Sequence, residues 1–121
     1  MPANVTQYNE PASQVATIAN GASLSNAQRL PPGHVLVGLI MPAAWTAAGI
    51  TMQGSVDGVT YGNLYIAAGS EHALVVAAAT TVILDPTLYL GVPFLKLRSG
   101  TAGTPVNQAA ARTITLITRA L

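Results

Sequence analysis

The sequence has no cysteine, so no disulfide supports the fold, and cysteine usage leaves the redox compartment open. Charge is nearly as scarce. Five Lys and Arg stand against four Asp and Glu, a net charge of +1, and the four types make up 7% of the chain, where a soluble domain carries about 25%. The cations, Arg29, Lys96, Arg98, Arg112 and Arg119, are too few for the basic stripe that a phosphate backbone demands, which argues against nucleic acid as a partner. Long apolar runs are also missing. The longest, Val35 to Ile50, is interrupted by Gly38 and Pro42 and falls short of the ~20 residues that span a bilayer, so no membrane partner is expected. The start, Met1-Pro2-Ala3-Asn4, has neither the cationic nor the apolar region of a signal peptide.

Groups for chemistry are equally few. Acid/base or nucleophilic catalysis needs a base beside a nucleophile and a third group to orient the base. His34 follows Pro31-Pro32-Gly33 and His72 follows Glu71, and neither belongs to a nucleophile motif. Asp57 and Asp85 are accounted for as turn residues beside Gly58 and Pro86 rather than as a glycosidase-like carboxylate pair. Asp57, Glu71, His72 and Asp85 show no metal-ligand spacing, and Gly49 to Gly62 has neither the Lys nor the strand-to-helix setting of a phosphate loop. No enzymatic activity, metal or cofactor is expected.

What the chain does have is 50% apolar residues in 121 positions, enough for one domain with one core. Ala and Thr stand where Lys and Glu usually do. Low charge with high hydrophobicity is the opposite of a disordered composition, and a net charge near zero removes the repulsion that keeps free proteins apart. Such a surface is expected to be covered by other subunits.

Short apolar runs split by Gly, Pro and Asp predict an all-β sandwich. The strands are expected at Val15 to Ala19 with a continuation from Ser23 to Leu30, His34 to Met41, Gly49 to Gly54, Thr60 to Ile66, Glu71 to Ala77, Thr80 to Leu84, Phe94 to Ser99 and Arg112 to Arg119. Ser55-Val56-Asp57-Gly58 predicts a tight hairpin turn. Ala43 to Ala48 is long enough for one helical turn, and loss of alternation at Ile117 predicts a bulge. Residues 1–14 predict an arm outside the core, with the sandwich domain spanning 15–121.

Four segments carry a resemblance: Ala16 to Ser25, Met41 to Ala48 (Met-Pro-Ala-Ala-Trp-Thr-Ala-Ala), Gln53 to Gly58, and Phe94 to Gly100. Together they resemble a group of tailed-bacteriophage virion proteins, small β-sandwich proteins of which some decorate or cement the capsid. The Ser-x-Asp-Gly hairpin followed by Leu95-Lys96-Leu97 is also similar to discoidin-type, galactose-binding-like jelly rolls. The resemblance implies a jelly-roll-like sandwich of about eight strands and a non-enzymatic virion component. Its expected partners are the major capsid protein or other virion proteins, and further copies of itself, a trimer for example, at the capsid surface. Tyr8 in the arm, with Lys96, Arg98 and Arg112, are the candidate subunit-interface residues. The alternative is a glycan-binding attachment module with Trp45, Tyr61 and Tyr65 as its aromatic platform; Tyr61 and Tyr65 would then share one strand face. Against that platform, Trp45 also fits as a core anchor whose indole N–H meets a backbone carbonyl.

Overall fold

The computed structural model describes residues 11–67 and 69–121. Alternation sets which side of each strand turns inward. In β1 (Ala12–Ile18), Ala16 and Ile18 are buried while Ser13, Val15 and Thr17 face out. Two residues, Gln28–Arg29, form β2. The near-continuous apolar run His34–Ile40 forms β3, and Ile50–Ser55 forms β4. Four two-residue strands follow: β5 (Gly62–Asn63), β6 (Tyr65–Ile66), β7 (Ser70–Glu71) and β8 (Ala73–Leu74). Thr81–Ile83 is β9, Phe94–Ser99 is β10 and Arg112–Ala120 is β11, with a 3-10 turn at Pro86–Tyr89.

The strands make two main antiparallel sheets. One is four-stranded in the order β1-β11-β3-β9; the other runs β2-β10-β4-β5, with β8 also pairing β4, and β6 and β7 form a separate hairpin. Taking β1, β2, β3, β4, β5, β9, β10 and β11 as the principal strands, this alternation between sheets is the double Greek key of a jelly roll. The chain is an all-β sandwich. Its core is aliphatic: Ile18, Leu36, Leu39, Ile50, Met52, Leu95, Leu97, Ile114 and Leu116 are fully enclosed between the sheets, each worth about 1.5–3 kcal/mol of burial.

The bulge foreseen at Ile117 lies on the neighbouring strand, while β11 itself keeps its alternation from Ile114 to Thr118. Ile117 pairs with Gly38 but Thr118 pairs with Leu36, so Val37 is the extra residue on β3. Several expectations need correction. The sheet begins at Ala12, because Ala12, Ser13 and Gln14 pair with Thr118, Ile117 and Leu116; these residues belong to the sandwich and not to an arm. Tyr8 lies outside the described residues. Ala43 to Ala48 forms bends with no helical turn, as expected of a segment too short to nucleate one. The return strand foreseen over Thr60 to Ile66 divides at Leu64. Gly54 on β4 leaves the space that Leu64 fills: a Cβ there would stand 2.6 Å from Leu64 Cδ2 and 2.7 Å from Val92 Cγ1. Beyond Leu64 the chain leaves β4 and pairs β6 with β7.

Candidate functional site

The sandwich has two outer faces of opposite character. On the five-stranded side, the pairings bring Phe94 beside Ser55 and Arg29, Lys96 beside Gln53, Gln53 beside Asn63, and Arg98 beside Thr51. The Arg29 guanidinium lies 5.9 Å from the Phe94 ring centroid, and Lys96 Nζ lies 4.3 Å from that of Tyr61, both cation–π contacts. Arg98 is enclosed, with only 7% of its surface exposed. It donates from Nη2 to Asn63 Oδ1 at 2.7 Å and from Nη1 to Glu71 Oε2 and Thr51 Oγ1, both at 3.3 Å. Glu71 also accepts from the Ala102 N–H, at 3.1 Å to Oε2. Arg98 is therefore committed within its own chain and does not offer the free charge expected of an interface residue. Arg112 is likewise engaged, donating to Gln108 Oε1 at 3.1 Å and Thr46 Oγ1 at 3.2 Å. Lys96, on Tyr61, is half-buried, as is Arg112.

The Tyr61 hydroxyl is buried and has no hydrogen-bond partner among the described residues. An unpaired hydroxyl costs about 1–3 kcal/mol, whereas the ring contact with Lys96 does not need it. The Tyr61→Phe variant is accordingly expected to be as stable as the parent, or more stable by up to about 1 kcal/mol. A clear loss in urea denaturation would show that the hydroxyl is bonded after all.

The outer face of the four-stranded sheet is a different surface. Its rows follow from the register: Thr17 beside Thr113; Val15, Thr115, Ile40 and Thr81; and Ser13, Ile117, Gly38 and Ile83. No ionisable side chain stands in these rows; the exposed Arg119 follows Ile117 on the same side of β11, at the end of the face. Val15 is 49%, Ile40 42% and Ile83 90% exposed.

The titratable groups serve local structure. Asp57 accepts from the N–H groups of Val59 (2.8 Å) and Thr60 (3.0 Å) and from Ser55 Oγ (2.9 Å); the two backbone bonds, and then the serine, lower its pKa to about 2. Because the folded value lies below the unfolded 3.8, the turn's contribution is present above that pH and lost as pH falls toward 2. The thermal midpoint of the parent should therefore drop between pH 4 and pH 2 more than that of Asp57→Asn, which calorimetry at both pH values checks. Asp85 caps the 3-10 turn through the Thr87 side chain and N–H, which lower its pKa. His72 Nε2 meets the buried Tyr89 hydroxyl at 2.5 Å, and burial, then the Asp85 charge, raises the Tyr89 pKa to about 12. Among the described residues no group of three His, Asp or Glu side chains gathers as a metal site.

The three aromatic residues of the glycan alternative are not brought together. Trp45 packs against the core, donates its indole N–H to Ala48 O at 3.0 Å, and lines an apolar cavity of about 430 Å³ with Ala47, Ala48 and Ala73–Ala78. Tyr61 lies under Lys96, while Tyr65 stands on the separate β6–β7 hairpin, 58% exposed. The shared strand face foreseen for the tyrosines is absent, since Tyr61 is outside any strand and the chain turns at Leu64. A larger cleft of about 510 Å³ lies between Arg29–His34 and Tyr89–Phe94. The Arg98–Glu71–Asn63 cluster was not foreseen from the sequence; its one signal is that a chain with four acids places one of them in a short strand.

No protein-family model and no curated protein sequence matches the chain. Among solved structures, the crystal structure of the Yersinia pseudotuberculosis-derived mitogen is similar, with a TM-score of 0.40 and 10% identity over 93% of this chain and 87% of that one. A likeness that remote assigns no kinship.

Proposed function

We propose that the chain is a structural subunit of a tailed-phage virion, a capsid decoration or cement protein that acts by binding and not by chemistry. The observation that supports this reading is the charge-poor outer face of the four-stranded sheet. Ten uncharged positions of β1, β3, β9 and β11 line it in register, with Arg119 at one end, and a surface so poor in ionised groups can be covered by protein with little desolvation cost. A stable contact takes about 1,600 Å² in total, and a sheet face of this kind supplies a large share of one partner's half. The opposite face, with its Arg29, Lys96 and Tyr61, remains suited to solvent.

The test is co-sedimentation of the purified chain with phage heads stripped of accessory proteins. The parent chain is expected to pellet with the particles. Val15→Lys and Ile40→Lys, both at half-exposed positions, are expected to reduce binding at least about tenfold by stranding a buried charge. A parent chain that never pellets, or lysine variants that bind as well as the parent, would overturn the reading.

A further inference from the structure

The two edges of the four-stranded sheet are covered to different extents. The β1 edge is capped at one end, where the Thr17 N–H donates to Asn26 Oδ1 at 2.9 Å and the Asn26 N–H returns to Thr17 O at 3.1 Å, while the outward backbone groups of Ser13 and Val15 have no bond among the described residues. Gln14 adds bonds to Gln28 Oε1 (2.9 Å) and Arg29 O (3.1 Å). Among the described residues nothing pairs with the β9 edge. Met41 N–H donates to Thr80 O at 2.8 Å and Leu84 N–H to Val37 O at 3.0 Å, so the even-numbered residues of this segment bond toward β3. By the alternation of an antiparallel ladder, the N–H and C=O groups of Thr81 and Ile83 point away from the sheet. No turn or loop of the described residues bonds to them. Proteins ordinarily blunt such an edge with charge, Pro or a covering segment. Here it carries Ile83, 90% exposed, in a stretch from Ala73 to Leu84 without one ionisable residue.

We infer that β9 is a strand-pairing edge whose occupant is the same strand of a second copy, related by a two-fold axis through Val82. That register closes without residue. Thr81 and Ile83 of one copy exchange both backbone bonds with Ile83 and Thr81 of the other, and the Val82 residues face each other at the centre. The nearest charge, Asp85, falls opposite Ala79 of the second copy, so no like charges meet. A charged edge would oppose itself across such an axis, and this one does not. The pairing also joins two charge-poor outer faces into one continuous sheet of twice the width, with Ile83 against Thr81 of the neighbour. The inference deepens the assembly reading by naming the edge that joins copies, but it does not need a particle to be tested.

Proline at position 83 removes only an outward-pointing N–H, since the bonds to β3 are carried by residues 80 and 84. Sedimentation equilibrium of the full chain up to about 1 mM is expected to show a dimer. In Ile83→Pro the dissociation constant should rise at least about tenfold, because each copy loses a donor. Val75→Lys, at a residue 97% exposed but off the pairing register, should leave it unchanged. In the associated parent, the amides of Thr81 and Ile83 should exchange with deuterium at least about tenfold slower than at low concentration. A chain monomeric at about 1 mM overturns the inference. So do an Ile83→Pro variant that dimerises like the parent, or association that leaves those amides unprotected and is lost in Val75→Lys, which would place the contact on the apolar surface. Particle binding by a chain that does not self-pair would overturn this inference alone, and self-pairing without particle binding would overturn only the virion reading.

Discussion

Arg98→Ala is expected to unfold about 3–5 kcal/mol more easily than the parent chain, a large part of the 5–15 kcal/mol that typically holds a domain together. The reason is what the substitution leaves behind. Arg98 and Glu71 have side chains 8% and 16% exposed, 3.3 Å apart. Without the guanidinium, the carboxylate keeps, among the described residues, only the Ala102 N–H, and Asn63 Oδ1 and Thr51 Oγ1 each lose a donor. The pair itself need not be strongly favourable, because desolvation offsets much of its attraction. Glu71→Gln should therefore cost less than Arg98→Ala, as an amide oxygen still accepts from both donors. The double variant Arg98→Met with Glu71→Leu should recover most of the loss, since it strands no charge. Urea denaturation of the four proteins checks this. An Arg98→Ala loss under about 1 kcal/mol would show that water reaches Glu71 and that the cluster is effectively a surface pair.

The same residue shows how far the sequence can be read. Leu95 and Leu97 alternate with Lys96 and Arg98, and β10 has the bounds that this alternation predicts, Phe94–Ser99. The His34, Ile50 and Arg112 strands fall within a residue of expectation for the same reason, whereas the extra residue of the bulge is Val37 on β3, in an apolar run that shows no loss of phase, and β11 keeps its alternation through Ile117. Alternation says only that Arg98 lies on the outer face. That this part of the face is roofed by Glu71 and the loop of Ala102 depends on residues distant in sequence, and no local period records it. Short strands fail for a related cause. β5 to β8 have two residues each, too few for a period, and their placement follows from the gap at Gly54 that Leu64 fills. Gln14 looked like part of a polar arm because its function is to bond Gln28 and Arg29 across the edge of the sheet. The charge-poor face, by contrast, was legible in the scarcity of charge, though not which sheet would carry it.

Gly100→Ala should be comparably damaging, at about 3–5 kcal/mol, and for a reason confined to backbone. Gly100 has φ +88°, and a Cβ there would stand 2.5 Å from Thr104 O, 2.7 Å from Val106 N and 3.0 Å from Pro105 Cα. None of these can rotate aside. The peptide is also fixed on its other sides, since its N–H donates to Gly49 O and its carbonyl accepts from Thr51 Oγ1, both at 2.8 Å. Gly21 separates the two costs. It has φ +79° but open space where a Cβ would go, so Gly21→Ala isolates the left-handed conformation at about 1–2 kcal/mol. Gly103→Ala, with open space and no positive φ, should change stability by less than about 0.5 kcal/mol. If Gly100→Ala costs no more than Gly21→Ala, the turn from Gly100 to Pro105 has yielded and the close approach is not a constraint. The turn also bears on the buried cluster, because displacing it withdraws the Ala102 N–H from Glu71. Gly100→Ala and Arg98→Ala then damage one unit, and the double variant should lose less than the sum of the two singles, by more than about 0.5 kcal/mol. Simple additivity would mean that the turn and the ion pair stabilise the sandwich independently.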